Sequence, residues 1–232
     1  MPLALVTGAS RGIGAATALS FAGRGWRVAL VARSAADLEA VAGRVLEVGG
    51  DGRAFVCDVT DDAAVEAAAE SVLEWAGVPD VVVNNAGLFE PGGLLETSPQ
   101  AFRRQLEVNV VSAFLVTRAF LGGMLERGSG RVLMMGSVAS VRGYPSGAAY
   151  GAAKHAMLGL ARSVRAEVAG TGVSVTTLLP GATRTASWDG TDLPDERFIP
   201  PEDVARVALE VATLSPRTVV EEVLIRPDAG DI

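Results

Sequence analysis

Short apolar runs recur along this chain, each separated from the next by a longer segment with helical periodicity. The runs "LALVT" (3–7), "RVALVA" (27–32), "RAFVCD" (53–58), "DVVVNN" (80–85), "RVLMMGS" (131–137) and "VSVTTLLP" (173–180) read as buried strands. Each is brief, apolar or β-branched throughout, and bounded by Gly, Pro or polar residues. "VVEEVLI" (219–225) reads as a last strand. Helical patterns fall near 12–24, 35–48, 61–76, 99–127, 148–169 and 201–214. Such alternation predicts an α/β fold, with a parallel sheet covered by helices on both faces. The length suits one such domain over 1–232, or at most two small ones. One irregular stretch, roughly 182–200, is long enough to be a functional or disordered loop.

Composition narrows the function. Apolar residues make up 49% and charged residues 20% of the chain, which fits a soluble globular protein. The formal net charge of −7 argues against non-specific nucleic-acid binding. No run of eighteen or so apolar residues predicts a membrane span, and "MPLALVTGAS" lacks the basic region and cleavage site of a signal peptide. One cysteine, Cys57, and one histidine, His155, leave little for a metal centre or a His-based triad. The expectation is a cytoplasmic protein with no metal, whose chemistry rests on neither Cys nor His.

The first strand runs into "TGASRGIG", Thr7 to Gly14. Gly8, Gly12 and Gly14 permit a tight turn, and with Ser10, Arg11 and Ile13 they bring backbone N–H groups and a helix N-terminus toward a pyrophosphate. A glycine-rich turn alone is weakly specific; its place after the first strand strengthens it. In NAD-type sites a carboxylate ends the second strand. Here that end reads Val31-Ala32-Arg33-Ser34. Arg33 and Arg11 suit a 2′-phosphate instead, which favours NADP(H) over NAD(H); ordinary surface arginines are the competing explanation.

Further motifs appear in order: "NNAG" (84–87), "VNV" around Asn109, Ser137 after the fifth strand, "YGAAK" (150–154) and "PG" (180–181). Together with the glycine loop they resemble the short-chain dehydrogenase/reductase family over nearly the full length. The resemblance implies a single doubly wound, Rossmann-like domain with seven strands in the order 3-2-1-4-5-6-7. It implies that Asp58 and Val59 meet the adenine, that Asn85, Ala86 and Gly87 line its ribose, and that Pro180, Gly181, Thr183 and Thr185 hold the nicotinamide. A helix N-cap is the other role open to Asp58.

Lys154 is the only lysine among the 20 basic residues, and Tyr150 is one of two tyrosines. Four residues apart on a helix, they share a face. A cation about 4 Å away in a partly shielded site is worth roughly 4 kcal/mol, on the order of three pKa units. That predicts a phenol near pH 7–8, suited to general acid–base work. The resemblance further implies that Lys154 binds the nicotinamide ribose, that Ser137 stabilises the substrate oxygen, and that Asn109 holds a water leading from Lys154 to solvent. It implies hydride transfer between nicotinamide C4 and a carbonyl carbon, with Tyr150 exchanging the proton.

For the substrate, Leu88, Phe89, Val138, Tyr144, Pro145 and Trp188 suggest an apolar pocket beneath a lid at 182–200, although Trp188 serves equally well as a loop anchor. The partner expected is a small-molecule carbonyl or alcohol. The resemblance also admits the family's 3-oxoacyl-[acyl-carrier-protein] reductase branch as the alternative, with Arg127, Arg131, Arg162 and Arg165 as candidate docking residues for an acidic carrier. A non-catalytic dinucleotide-binding sensor or scaffold is the alternative of another class. Helices near 101–127 and 148–169 are rich in Ala, Val and Leu; the resemblance implies that they pair into a homodimer or homotetramer, and burial within one chain is the competing explanation.

Overall fold

A computed structural model describes residues 1–231. Its strands are β1 (Leu3–Thr7), β2 (Arg27–Ala32), β3 (Asp51–Val56), β4 (Val81–Asn84), β5 (Gly130–Met135), β6 (Val173–Pro180) and β7 (Glu222–Ile225). They form one parallel sheet in the order β3-β2-β1-β4-β5-β6-β7, as the resemblance implied. Every residue of β1, β4 and β6 is buried, because helices cover both faces. Alternate side chains of one strand therefore enter different cores. Ala4 and Val6 join Phe21, Leu30, Leu38 and Leu209 on one face; Leu3 and Leu5 join Val72, Phe120, Met124 and Met157 on the other.

The first face is covered by α1 (Gly12–Ala22), α2 (Ala35–Glu47) and α7 (Pro201–Thr213). The second is covered by α3 (Asp62–Ala76), α5 (Ser112–Arg127) and α6 (Ala148–Glu167). Helix starts follow side-chain chemistry. Ser34, Asp61 and Ser98 each accept a backbone N–H from the first turn, and Pro99 opens α4 (Pro99–Leu106), where no N–H is needed.

Several boundaries differ from expectation; β7, for one, begins at Glu222 and not at 219. β3 starts at Asp51 because Asp51-Gly52, which look like turn residues, pair with Arg27 and Val28; an Arg27–Asp51 ion pair of 2.8 Å fastens that end. The strand then stops at Val56, so Cys57 and Asp58 lie beyond it. The helical run 99–127 is interrupted by a π turn, Glu107–Val111. The stretch 182–200 is ordered by two short 3₁₀ turns, Ala186–Trp188 and Asp195–Arg197, and by backbone pairing of Arg184 N to Ile199 O (2.9 Å) and Ile199 N to Ala182 O (2.9 Å).

By length and a mean hydropathy of 1.6, Pro99–Arg127 is apolar enough to cross a bilayer. In this fold its Leu115, Val116, Phe120 and Met124 are committed to the core.

Candidate active site

β1 has β2 on one side and β4 on the other, so the strand order reverses there and a crevice opens at the strands' carboxyl ends. The crevice is a cleft of about 1080 Å³, at the upper end of small-molecule sites. Every residue predicted for catalysis or cofactor binding lines it except Gly14, which sits directly behind the glycine loop. Gly8 has φ +64°, a conformation that favours glycine. A Cβ on Gly14 would lie 2.2 Å from the Gly8 carbonyl oxygen and 2.5 Å from Asn85 Nδ2. The loop is stitched to the end of β4: Thr7 Oγ1 accepts from the N–H groups of Asn85 and Ala86, both at 3.0 Å, and Asn85 Nδ2 donates to Thr7 O at 2.9 Å.

At one end of the cleft stand Arg11 and Arg33, both exposed. Among the described residues neither forms an ion pair. Asp58 beside them is held below the usual carboxylate range, chiefly by the Thr60 N–H, then by the Thr60 hydroxyl and the Arg33 charge, against a partial loss of solvation. Its Oδ1 closes a turn with Thr60 N (3.1 Å) and Oγ1 (2.8 Å); the N-cap of α3 is Asp61.

The other half of the cleft holds the remaining four groups. Asn109 rides on the π turn and is fully buried. Its Nδ2 donates to Leu88 O and Gln105 O, both at 2.9 Å, and its Oδ1 accepts from Leu88 N at 3.2 Å. Both side-chain donors are thus spent on fixing the segment after β4, so any water near Lys154 would have to meet Oδ1 or the main chain. Ser137 follows β5 and caps a 3₁₀ turn, Val138–Ser140. Its Oγ accepts from Ala139 N at 3.1 Å, which leaves the hydroxyl proton free to point into the cleft.

Tyr150 and Lys154 lie on one face of α6, with the ammonium 5.6 Å from the phenol ring centroid. The electrostatics correct the expectation. Burial pushes Tyr150 up to about 12, with Ser137 only partly opposing it, and pushes Lys154 down to about 8. The ammonium donates to Met135 O at 2.8 Å instead of engaging the phenol oxygen. Loss of solvation outweighs attraction between the two groups.

Lys154 is 4% exposed, and its pKa falls from the ordinary 10.5 to about 8. The folded protein therefore releases this proton before the unfolded chain does. The cost of burying the ammonium is carried below about pH 8 and vanishes as the pH rises toward 10.5. Wild-type stability should rise relative to Lys154→Met by up to about 3 kcal/mol across that window. Urea unfolding of both proteins at about pH 7 and about pH 10 reads this; a difference that stays constant contradicts it.

An aromatic row extends from the phenol. Phe89 meets Tyr150 edge to face at 4.9 Å between centroids, Trp188 lies 6.0 Å from Phe89, and Phe198 lies 5.2 Å from Trp188. Arg184 sits over Phe198 and pairs with Asp195. Trp188 is thus both an anchor of 182–200 and part of the cleft wall. Leu88, Val138 and Tyr144 line the wall as expected; Pro145 does not.

The cleft also contains Arg104, Glu107, Arg142 and Asp231, which sequence reasoning missed. None belongs to a motif, and Arg142 meets Asp231 only through the fold. The arginines considered for docking are engaged elsewhere. Arg127 binds Val78 O, Pro79 O and Ser129 O, and Arg131 binds Leu214 O and Ser215 O. Arg162 and Arg165 pair with Glu222 and Glu221 around a separate hollow of about 270 Å³.

Known proteins resemble this chain along most of its length. The family described as short chain dehydrogenase matches residues 2–194. A D-threitol dehydrogenase of Mycolicibacterium smegmatis is 36% identical over 222 residues, covering 91% of this chain and 85% of that protein. A 3-oxoacyl-[acyl-carrier-protein] reductase of Synechocystis is 35% identical, covering 91% and 89%. An alcohol dehydrogenase from the archaeon Thermococcus sibiricus, solved with 5-hydroxy-NADP, superposes with a TM-score of 0.91 at 34% identity, covering 98% and 97%.

Proposed function

The chain belongs to the short-chain dehydrogenase/reductase family of oxidoreductases, and on that premise we propose that it uses NADP(H) to interconvert a small, uncharged ketone or aldehyde and its alcohol. The observation that carries this reading is the joint placement of Ser137, Tyr150 and Lys154 on one wall of a cleft whose floor is the glycine loop. The dinucleotide fits what is present: a glycine loop in the cleft, packed from behind so tightly that a Gly14 Cβ would meet the Gly8 carbonyl, and two arginines, Arg11 and Arg33, that form no ion pair among the described residues. Gly8, Ser10, Arg11, Gly12, Ile13, Asp58, Val59 and Asn85 to Gly87 would hold its adenine half. Pro180, Gly181, Thr183, Thr185 and Lys154 would hold the nicotinamide half. When bound, it supplies the hydride.

The chain's own residues handle the oxygen. Ser137 donates its free proton to the carbonyl oxygen and stabilises the charge that develops there. Tyr150, protonated at neutral pH, passes its proton to the same atom in reduction and recovers it in oxidation. Lys154, mostly an ammonium at neutral pH, supplies the nearby positive charge. The row Phe89–Trp188 gives the substrate an apolar wall beneath the 182–200 lid. Arg104 is paired with Glu90, and Arg142 shares Asp231 with Arg226, so neither guanidinium stands free to bind a charged substrate.

Loss of NADPH absorbance across a panel of ketones and aldehydes tests the reading. Tight NADPH binding with no turnover on any of them would favour a sensor. The likeness to the Synechocystis reductase supports a carrier-linked 3-oxoacyl substrate as a second reading, so a 3-oxoacyl thioester belongs in the panel. For the cofactor, replacing Arg11 and Arg33 together by Ala should raise KM for NADPH about tenfold or more, worth roughly 1.4 kcal/mol. KM for NADH should barely move; equal losses for both would overturn the 2′-phosphate assignment.

We further propose a single domain working in the cytoplasm as a homodimer or homotetramer. Exposed Phe114 and Leu125 on α5 support the assembly, and sedimentation decides it.

A further inference from the structure

The segment between Ser137 and Tyr150 carries a catalytic candidate at each end, and Val138, Ala139, Arg142 and Tyr144 within it line the cleft. It is seated from two sides. On one, Gly92 N donates to Ser146 O at 2.8 Å, beside a Gly92–Gly147 bridge. Ser146 has φ +57°, the only positive φ at a non-glycine residue among those described. Such a conformation persists where its surroundings impose it. On the other side, Arg142 Nη1 lies 2.8 Å from Asp231 Oδ2.

Asp231 is itself fixed. Arg226, the residue after β7, grips it with two bonds, Nη2 to Oδ2 at 2.8 Å and Nε to Oδ1 at 3.2 Å. The carboxylate side chain is 11% exposed, whereas the two arginines are about half exposed. A two-pronged arginine–carboxylate contact is geometrically specific. The sheet edge thus reaches the substrate segment through a chain of three side chains: Arg226, Asp231, Arg142.

We propose that Asp231 is a positioning residue which, by binding Arg142, latches segment 138–147 in place and sets the fit of the carbonyl substrate. Its effect on the substrate rests on the function proposed above; its effect on the segment does not. Asp231→Asn should therefore raise KM for the carbonyl about five- to tenfold, more than it lowers kcat, and leave KM for NADPH within about twofold. Asp231→Glu should recover much of the loss. Arg142→Gln should match Asp231→Asn, and the double variant should be no worse than either single one, because the two residues act through one contact. An unchanged carbonyl KM, or effects that multiply in the double variant, overturns the latch.

A second measurement needs no turnover. Amide hydrogen exchange of residues 141–147 should quicken about fivefold or more in Asp231→Asn, with exchange in β1 and β4 unaltered. If the wild-type protein reduces no carbonyl, the proposed function fails while this readout still decides the latch. Unchanged exchange at 141–147 sinks it.

Discussion

Tyr150→Phe is expected to lower kcat/KM for carbonyl reduction about 10³-fold or more, within the range that a positioned general acid contributes. The phenol is raised to about 12 by burial, yet it remains far more acidic than water, at about 15.7. Proton transfer to an oxygen turning into an alkoxide therefore still runs downhill. Phe keeps the ring and its edge-to-face contact with Phe89 at 4.9 Å, so the wall survives and only the proton is lost. NADPH affinity, read by fluorescence titration, should stay within about threefold, under 1 kcal/mol. Turnover near the wild-type rate would remove Tyr150 from the proton path.

Gly14→Ala is expected to weaken NADPH binding more than about 100-fold, or roughly 2.7 kcal/mol, and to cost about 1–3 kcal/mol of stability through overpacking. The added methyl would lie 2.2 Å from the Gly8 carbonyl oxygen and 2.8 Å from its carbon, both main-chain atoms of the loop itself. The loop must shift, and with it the Asn85 side chain that bonds Thr7 O. Gly43→Ala is the control. It lies within α2 with nothing inside 4 Å of an added methyl, and should stabilise the protein by up to about 1 kcal/mol. Calorimetry and NADPH titration on both variants separate the clash from any generic loss of glycine. Normal binding by Gly14→Ala would mean that the loop is not the cradle.

The parts of the fold legible in the sequence are those fixed by burial on both faces. β1, β2 and β6 occupy the residues that their unbroken apolar runs indicate. β3 was harder, since Asp51 and Gly52 carry turn chemistry and are drawn into the sheet by Arg27. The π turn has no local signature; it accompanies the three bonds that Asn109 makes to Leu88 and Gln105. Spacing alone places Tyr150 and Lys154 on one face, but their acidities depend on burial and on the Met135 carbonyl, which no spacing reveals. Asp231 and Arg142 are far apart in the chain and meet only once β7 and the segment after β5 are in place. Ion pairs such as Arg162–Glu222 likewise decide which surface charges remain free, and composition cannot show that.

The π turn between α4 and α5 has a consequence for how the long rod can change. A residue added to a helix rotates everything beyond it by about 100°, which would ordinarily scramble one half's contacts. Here α4 lies against α6 while α5 lies against α3 and the sheet, and the wide turn absorbs the phase mismatch between these two docking demands. It acts as a vernier, so that either half can be retuned to its own neighbours while the amide of Asn109 keeps its place at the joint.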